Sequence, residues 1–172
     1  MKHSAALPVA WITLRILIIL NWVFGACILA LLAYSIVNEP WMIRALGVSG
    51  FAGPRWVMMA MRGIAALGLV AILFNHEVLR RLLAIVVTVR RGDPFVADNA
   101  YRLNAIAWFL LALQLLSIVI GAIGKAIANH GNPFHSDAGF SIAGWLAVVL
   151  TFVLARVFAE GALMREDLEG TI

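Results

Sequence analysis

Charge is scarce in this sequence: Asp, Glu, Lys and Arg together make up 13% of its 172 residues. A soluble domain carries roughly a quarter. In their place stand 63% hydrophobic residues, with a mean hydropathy of +0.97. So short a chain cannot hide that much apolar surface inside itself, and lipid must be its solvent. The single cysteine, Cys27, excludes an intrachain disulfide and a cysteine-rich metal site. Also missing are a Walker-type phosphate loop, a G-x-S-x-G elbow, an H-E-x-x-H pair and paired membrane-embedded acids. The chain is therefore not expected to be an enzyme, and no cofactor is expected. Neither internal symmetry nor the paired broken helices of a secondary transporter are visible.

What the sequence does have is long uncharged runs. Ile16 to Val37 carries no charge and is too long for the h-region of a secretory signal, so it reads as a retained span. Four spans are expected, at about 11–37, 56–74, 101–124 and 140–160, each long enough to cross a bilayer. The fold class is all-α: a polytopic membrane protein of four transmembrane helices, read as one four-helix bundle domain over 1–172 with a charged tail at 161–172. Between spans two and three, Asn75-His76-Glu77 can cap a new helix at about 77–91. That segment is apolar at Val78, Leu79, Leu82, Leu83, Val86 and Val89, with Arg80, Arg81, Arg90 and Arg91 among them. It is too short and too charged to cross. A short amphipathic helix at the membrane interface is expected there, with a bent extension of span two as the alternative. Gly92 and Pro94 then stop it.

Basic residues set the orientation. Of 13 Lys and Arg, nine fall on the side of the termini and of the connection between spans two and three. The positive-inside rule places that side in the cytoplasm, which for a bacterial chain means the inner membrane. The same rule accounts for the net charge of +4, so direct nucleic-acid binding is not expected.

Polar groups inside the spans are few: Asn21, Gln114, Ser117 and Thr151, with Arg156 and Glu160 near the end of span four. Gln114, Ser117, Gly121 and Gly124 share one helical face, as do Gly144, Ala147, Thr151 and Ala155. A tight packing seam is the preferred reading of these faces, and a polar passage is the alternative. Arg156 and Glu160 are spaced as an i,i+4 ion pair. In the loop before span four, His130, His135 and Asp137 could ligate zinc, although their spacing matches no metal motif. A solvated loop is preferred, leaving metal sensing as a further alternative.

The most distinctive stretch runs from Arg91 through Gly92, Asp93, Pro94, Phe95, Asn99 and Arg102 to Leu103. It resembles the G-x-P-F-x-x-x-N-x-x-R-L signature of the bacterial membrane family called domain of unknown function 2975. The charged closing segment, with Glu166 and Asp167 and a final Thr171-Ile172, is similar to that family's end, with looser spacing between Leu168 and Thr171. The resemblance implies four spans with the signature before the third. It also implies a partner, because such proteins are often encoded beside a small helix-turn-helix transcription regulator. The leading expectation is thus a non-enzymatic regulatory or scaffolding membrane protein. Its partner-binding candidates are Gly92, Pro94, Phe95, Asn99, Arg102, Leu103, Glu166 and Asp167. The alternatives are a small channel or transporter formed by a homo-oligomer, with Asn21, Gln114 and Thr151 lining a path, and a membrane sensor using its outer loop.

Overall fold

The computed structural model of the chain describes residues 6–40, 44, 54–129 and 139–169. Among them lie four long helices: α1 (Ala6–Val37), α2 (Pro54–Arg90), α3 (Ala97–Asn129) and α4 (Ile142–Glu169). Each contains a window long and apolar enough to cross a membrane, with mean hydropathies of 2.6, 2.2, 2.4 and 2.2 in chain order. At 1.5 Å per residue even the shortest is about 40 Å long, beyond the roughly 30 Å of a hydrocarbon core. The helices therefore run on past the bilayer. Large apolar side chains such as Leu29, Ile36, Ile142 and Val149 are exposed, as surfaces solvated by lipid tails require. The chain is an integral, multi-pass membrane protein.

One expectation is corrected. The helix expected to start anew at about 77 is the second half of α2, which runs unbroken from Pro54 to Arg90, so the segment extends span two, as the alternative reading had it. Asn75-His76-Glu77 contains no glycine or proline to break the backbone ladder. Its polar side chains also find partners without a break. The Asn75 amide donates to Asn21 Oδ1 at 2.9 Å, and Glu77 holds Arg80 and Arg81 at 2.9 and 3.4 Å. The end of α4 likewise extends further than the fourth span, because the charged residues from Gly161 onward stay helical to Glu169.

The chain divides into two compact units, and α1, α2 and α3 contribute to both. The first comprises Met1–Asn21, Phe74–Ala112 and Ile142–Ile172. Its buried residues include Val78 and Leu79 of α2, Leu103, Ile106 and Ala107 of α3, and Val148 and Ala155 of α4. Aromatic contacts join the helices: Phe74 to Phe109 at 5.7 Å, and Trp108 to Phe152 edge-on at 5.5 Å. The Asn21–Asn75 amide bond crosses between α1 and α2. Replacing Asn21 by Leu should cost about 1 kcal/mol, the scale of an interhelical hydrogen bond in a membrane protein. Unfolding in detergent, followed by tryptophan fluorescence, measures it; an unchanged midpoint would show that the amide pair contributes nothing.

The second unit comprises Trp22–Leu73 and Leu113–Ser141. Val57 and Ile127 are buried together, with Ala60, Met61, Ile64 and Ile123 packed around them. Here α1 and α2 pack closely at Gly25, where an added β-carbon would lie 2.9 Å from Ile72 Cγ2. Arg62 of α2 donates to the hydroxyl of Ser35 at 3.0 Å and to its carbonyl, and approaches Glu39 at 3.9 Å. Ser35 is buried on α1, so the Arg62 charge is held by two acceptors and a carboxylate rather than reaching free for the headgroups.

Candidate functional site

The 91–103 connector is built from the end of α2 outward. Gly92 has φ +88°, a left-handed conformation that side-chain-bearing residues rarely adopt. Its N–H donates to the Val89 carbonyl at 3.1 Å, and the Asp93 N–H donates to the Thr88 carbonyl at 3.2 Å. These two bonds are the Schellman pair that closes a helix C-terminus. Pro94 follows and cannot continue the helix.

Asn99, two residues into α3, is fully buried at 0% exposure. Its amide nitrogen donates to Thr88 Oγ1 at 2.7 Å and to the Pro94 carbonyl at 2.9 Å. Its amide oxygen accepts from Arg102 at 2.9 Å, while the Thr88 hydroxyl donates to the Ile85 carbonyl at 2.7 Å. One side chain thus ties the last turn of α2, the connector and the first turns of α3. Asp98 pairs with Arg102 at 3.4 Å from the first turn of α3, where negative charge favours the helix dipole. Leu103 is buried one turn on from Asn99.

Phe95 and Asp93 reach the other way, to α4. The ring of Phe95 lies 5.2 Å from that of Phe158, and its edge fills the space a side chain at Gly161 would need: an added β-carbon would lie 2.9 Å from Phe95 Cδ1. Asp93 forms an ion pair with Arg165. Beside these contacts an open cleft of about 500 Å³ runs between the connector and α4. Phe95, Val96, Ala97, Ala100, Ala162 and Leu163 give it apolar walls, and Asp93, Arg165 and Glu166 give it charge. Asp167 is exposed nearby on α4.

The family model described as "Protein of unknown function (DUF2975)" matches residues 9–172. The chain belongs to the DUF2975 family. No curated protein and no solved structure matches it. The junction just described therefore places the most distinctive sequence of a DUF2975 protein against its last helix. Both acids of the junction are ion-paired, Asp93 with Arg165 and Asp98 with Arg102.

The remaining polar candidates are engaged separately. Gln114 donates to the Ser141 carbonyl at 3.3 Å, and the Ser117 hydroxyl bonds the Gly139 backbone at 3.3 Å. Thr151 donates to the Ala147 carbonyl of its own helix at 2.7 Å, and Arg156 pairs with Glu160 at 2.8 Å on an exposed face of α4. Asn21 bonds Asn75. His130, His135 and Asp137 lie outside the described residues. Sequence reading did not single out Thr88 or Ser35, or Gly161 as the seat of Phe95. Their partners lie 11, 27 and 66 residues away, and no local signal marks such contacts.

Proposed function

We propose that this DUF2975 protein is a non-enzymatic regulatory or scaffolding protein of a bacterial inner membrane. In this reading both termini and the 91–103 connector face the cytoplasm, and a soluble protein such as a helix-turn-helix transcription regulator binds there. The cleft between connector and α4 carries the reading. Apolar walls flanked by Asp93, Arg165 and Glu166 suit an amphipathic helix, whose apolar anchors enter a groove while its charges meet the rim. A volume of about 500 Å³ accommodates a few large side chains, not a whole domain. The concentration of nine of 13 basic residues on this side supports a cytoplasmic location. Any contact with DNA would belong to the partner.

Co-purification tests the proposal. Leu163 and Glu166 line the cleft and are exposed, so Leu163→Glu with Glu166→Lys alters the surface without touching the Asn99 or Phe95 contacts. Wild type, gently solubilised from its native membrane, should retain a stoichiometric soluble protein with a helix-turn-helix domain. The double variant should lose at least about nine-tenths of it while inserting normally, since ~1.4 kcal/mol of lost binding is a factor of ten. Equal recovery with both proteins would place the binding surface elsewhere.

A further inference from the structure

We propose that Trp11, Arg15 and Arg90 form a binding site for the phosphate headgroup of an anionic phospholipid. Arg15 stands one turn along α1 from Trp11, and its guanidinium carbon lies 4.0 Å from the centroid of the indole ring. Arg90, the last residue of α2, brings a second guanidinium to 5.8 Å from the same centroid. Two like charges from different helices thus converge on one ring. The indole face attracts each of them, but nothing among the described residues neutralises them: neither makes an ion pair. The contrast with the rest of this unit is sharp. Arg80 and Arg81 share Glu77, Arg102 has Asp98, Arg156 has Glu160 and Arg165 has Asp93. Arg91, next to Arg90, is exposed and pairs with no carboxylate among the described residues. Among those residues the site presents two or three positive charges and no anion.

Depth selects the ligand. Arg15 immediately precedes the uncharged run Ile16–Val37, which as a helix is about 33 Å long and matches a hydrocarbon core. The Arg15 guanidinium therefore sits where headgroup phosphates lie, and Trp is a residue favoured at that level. Arginine forks pair with phosphate oxygens bidentately. An acidic lipid supplies such a phosphate at that depth, with its acyl chains lying alongside the apolar face of α1, where Ile12 and Ile19 are exposed. The inference is independent of the partner-binding cleft.

Delipidated protein in an uncharged detergent, titrated with phosphatidylglycerol or phosphatidylcholine of identical chains and read by native mass spectrometry, tests it. A basic residue near an anionic surface contributes roughly a fivefold preference. Wild type should therefore favour one phosphatidylglycerol by about twentyfold, and R15Q/R90Q should reduce that preference to about twofold or less. R44Q/R55Q, which removes two positive charges elsewhere, should leave the preference unchanged. A preference retained by R15Q/R90Q, or lost equally in R44Q/R55Q, overturns the site. Inorganic phosphate is the other source of the same chemistry. If about 10 mM phosphate displaces the lipid from wild type, the ligand is a free anion and the lipid assignment is overturned. Should R15Q/R90Q fail to fold, R15K/R90K keeps both charges but not the forked geometry. It should bind severalfold more weakly, and unchanged binding overturns the site.

Discussion

Asn99→Leu should destabilise the protein by about 3 kcal/mol, because it removes three hydrogen bonds at a fully buried position, one of them to a guanidinium. Leucine keeps asparagine's branched outline with bulkier ends, so none of the loss comes from a cavity. What remains is a half-buried Pro94 carbonyl without its donor, a Thr88 hydroxyl without one, and Arg102 held by Asp98 alone. Unfolding in detergent monitored by tryptophan fluorescence gives the number. Thr88→Val should cost about 1 kcal/mol by itself and much less once Asn99 is Leu, since the two share a bond. A loss below about 1 kcal/mol for Asn99→Leu would mean that water substitutes for the amide, and that the junction is less tightly tied than its geometry implies.

Gly161→Ala should show a reversal of sign that depends on Phe95. In an open helix interior, glycine to alanine stabilises by about 1 kcal/mol. At Gly161 the new methyl group meets Phe95 Cδ1 at 2.9 Å and Cε1 at 3.2 Å. The ring also rests against Phe158, so relieving the clash must shift the connector, a cost of about 1–3 kcal/mol. Gly161→Ala is therefore expected to destabilise by about 1 kcal/mol in the wild-type background, where the clash outweighs the propensity gain. In a Phe95→Ala background it should stabilise by about 1 kcal/mol, leaving only the propensity term. Limited trypsin digestion supplies a local readout, because Arg90 and Arg91 are exposed at the start of the connector. Gly161→Ala alone should speed cleavage there. Simple additivity of the two substitutions would show that Phe95 does not seat on Gly161.

The four spans were legible because uncharged runs such as Ile16–Val37 have one physical explanation, a lipid solvent. The stop after α2 was legible for a similar reason: Gly92 and Pro94 act through local backbone geometry, which the residue types carry with them. The sequence leaves two readings open at Asn75-His76-Glu77, a new helix or an extension of span two, because residues typical of a cap there lie inside a helix. The decisive partner of Asn75 is Asn21, 54 residues earlier on another helix, and no local window contains it. The signature pointed to the connector, but the sequence could not say that Phe95 seats on Gly161 or that Asn99 bonds Thr88. Asn99 stands among the partner-binding candidates of the sequence. In the structure its amide reaches back to α2 and the connector, and the acidic residue in the first turn of α3 is Asp98. Such contacts depend on how helices pair, and pairing is set by faces that look equally apolar in a membrane protein.

Partner binding at the cleft requires the connector and the end of α4 to face the cytoplasm, and cysteine accessibility tests that directly. The single native thiol, Cys27, is first removed as Cys27→Ser, after which Glu166→Cys gives one exposed reporter on α4. A membrane-impermeant maleimide applied to bacterial cells with a permeabilised outer membrane and an intact inner membrane should leave this cysteine unlabelled. It should label the cysteine fully once the inner membrane is also opened. Labelling before the inner membrane is opened would put the cleft outside the cytoplasm and contradict the proposed partner.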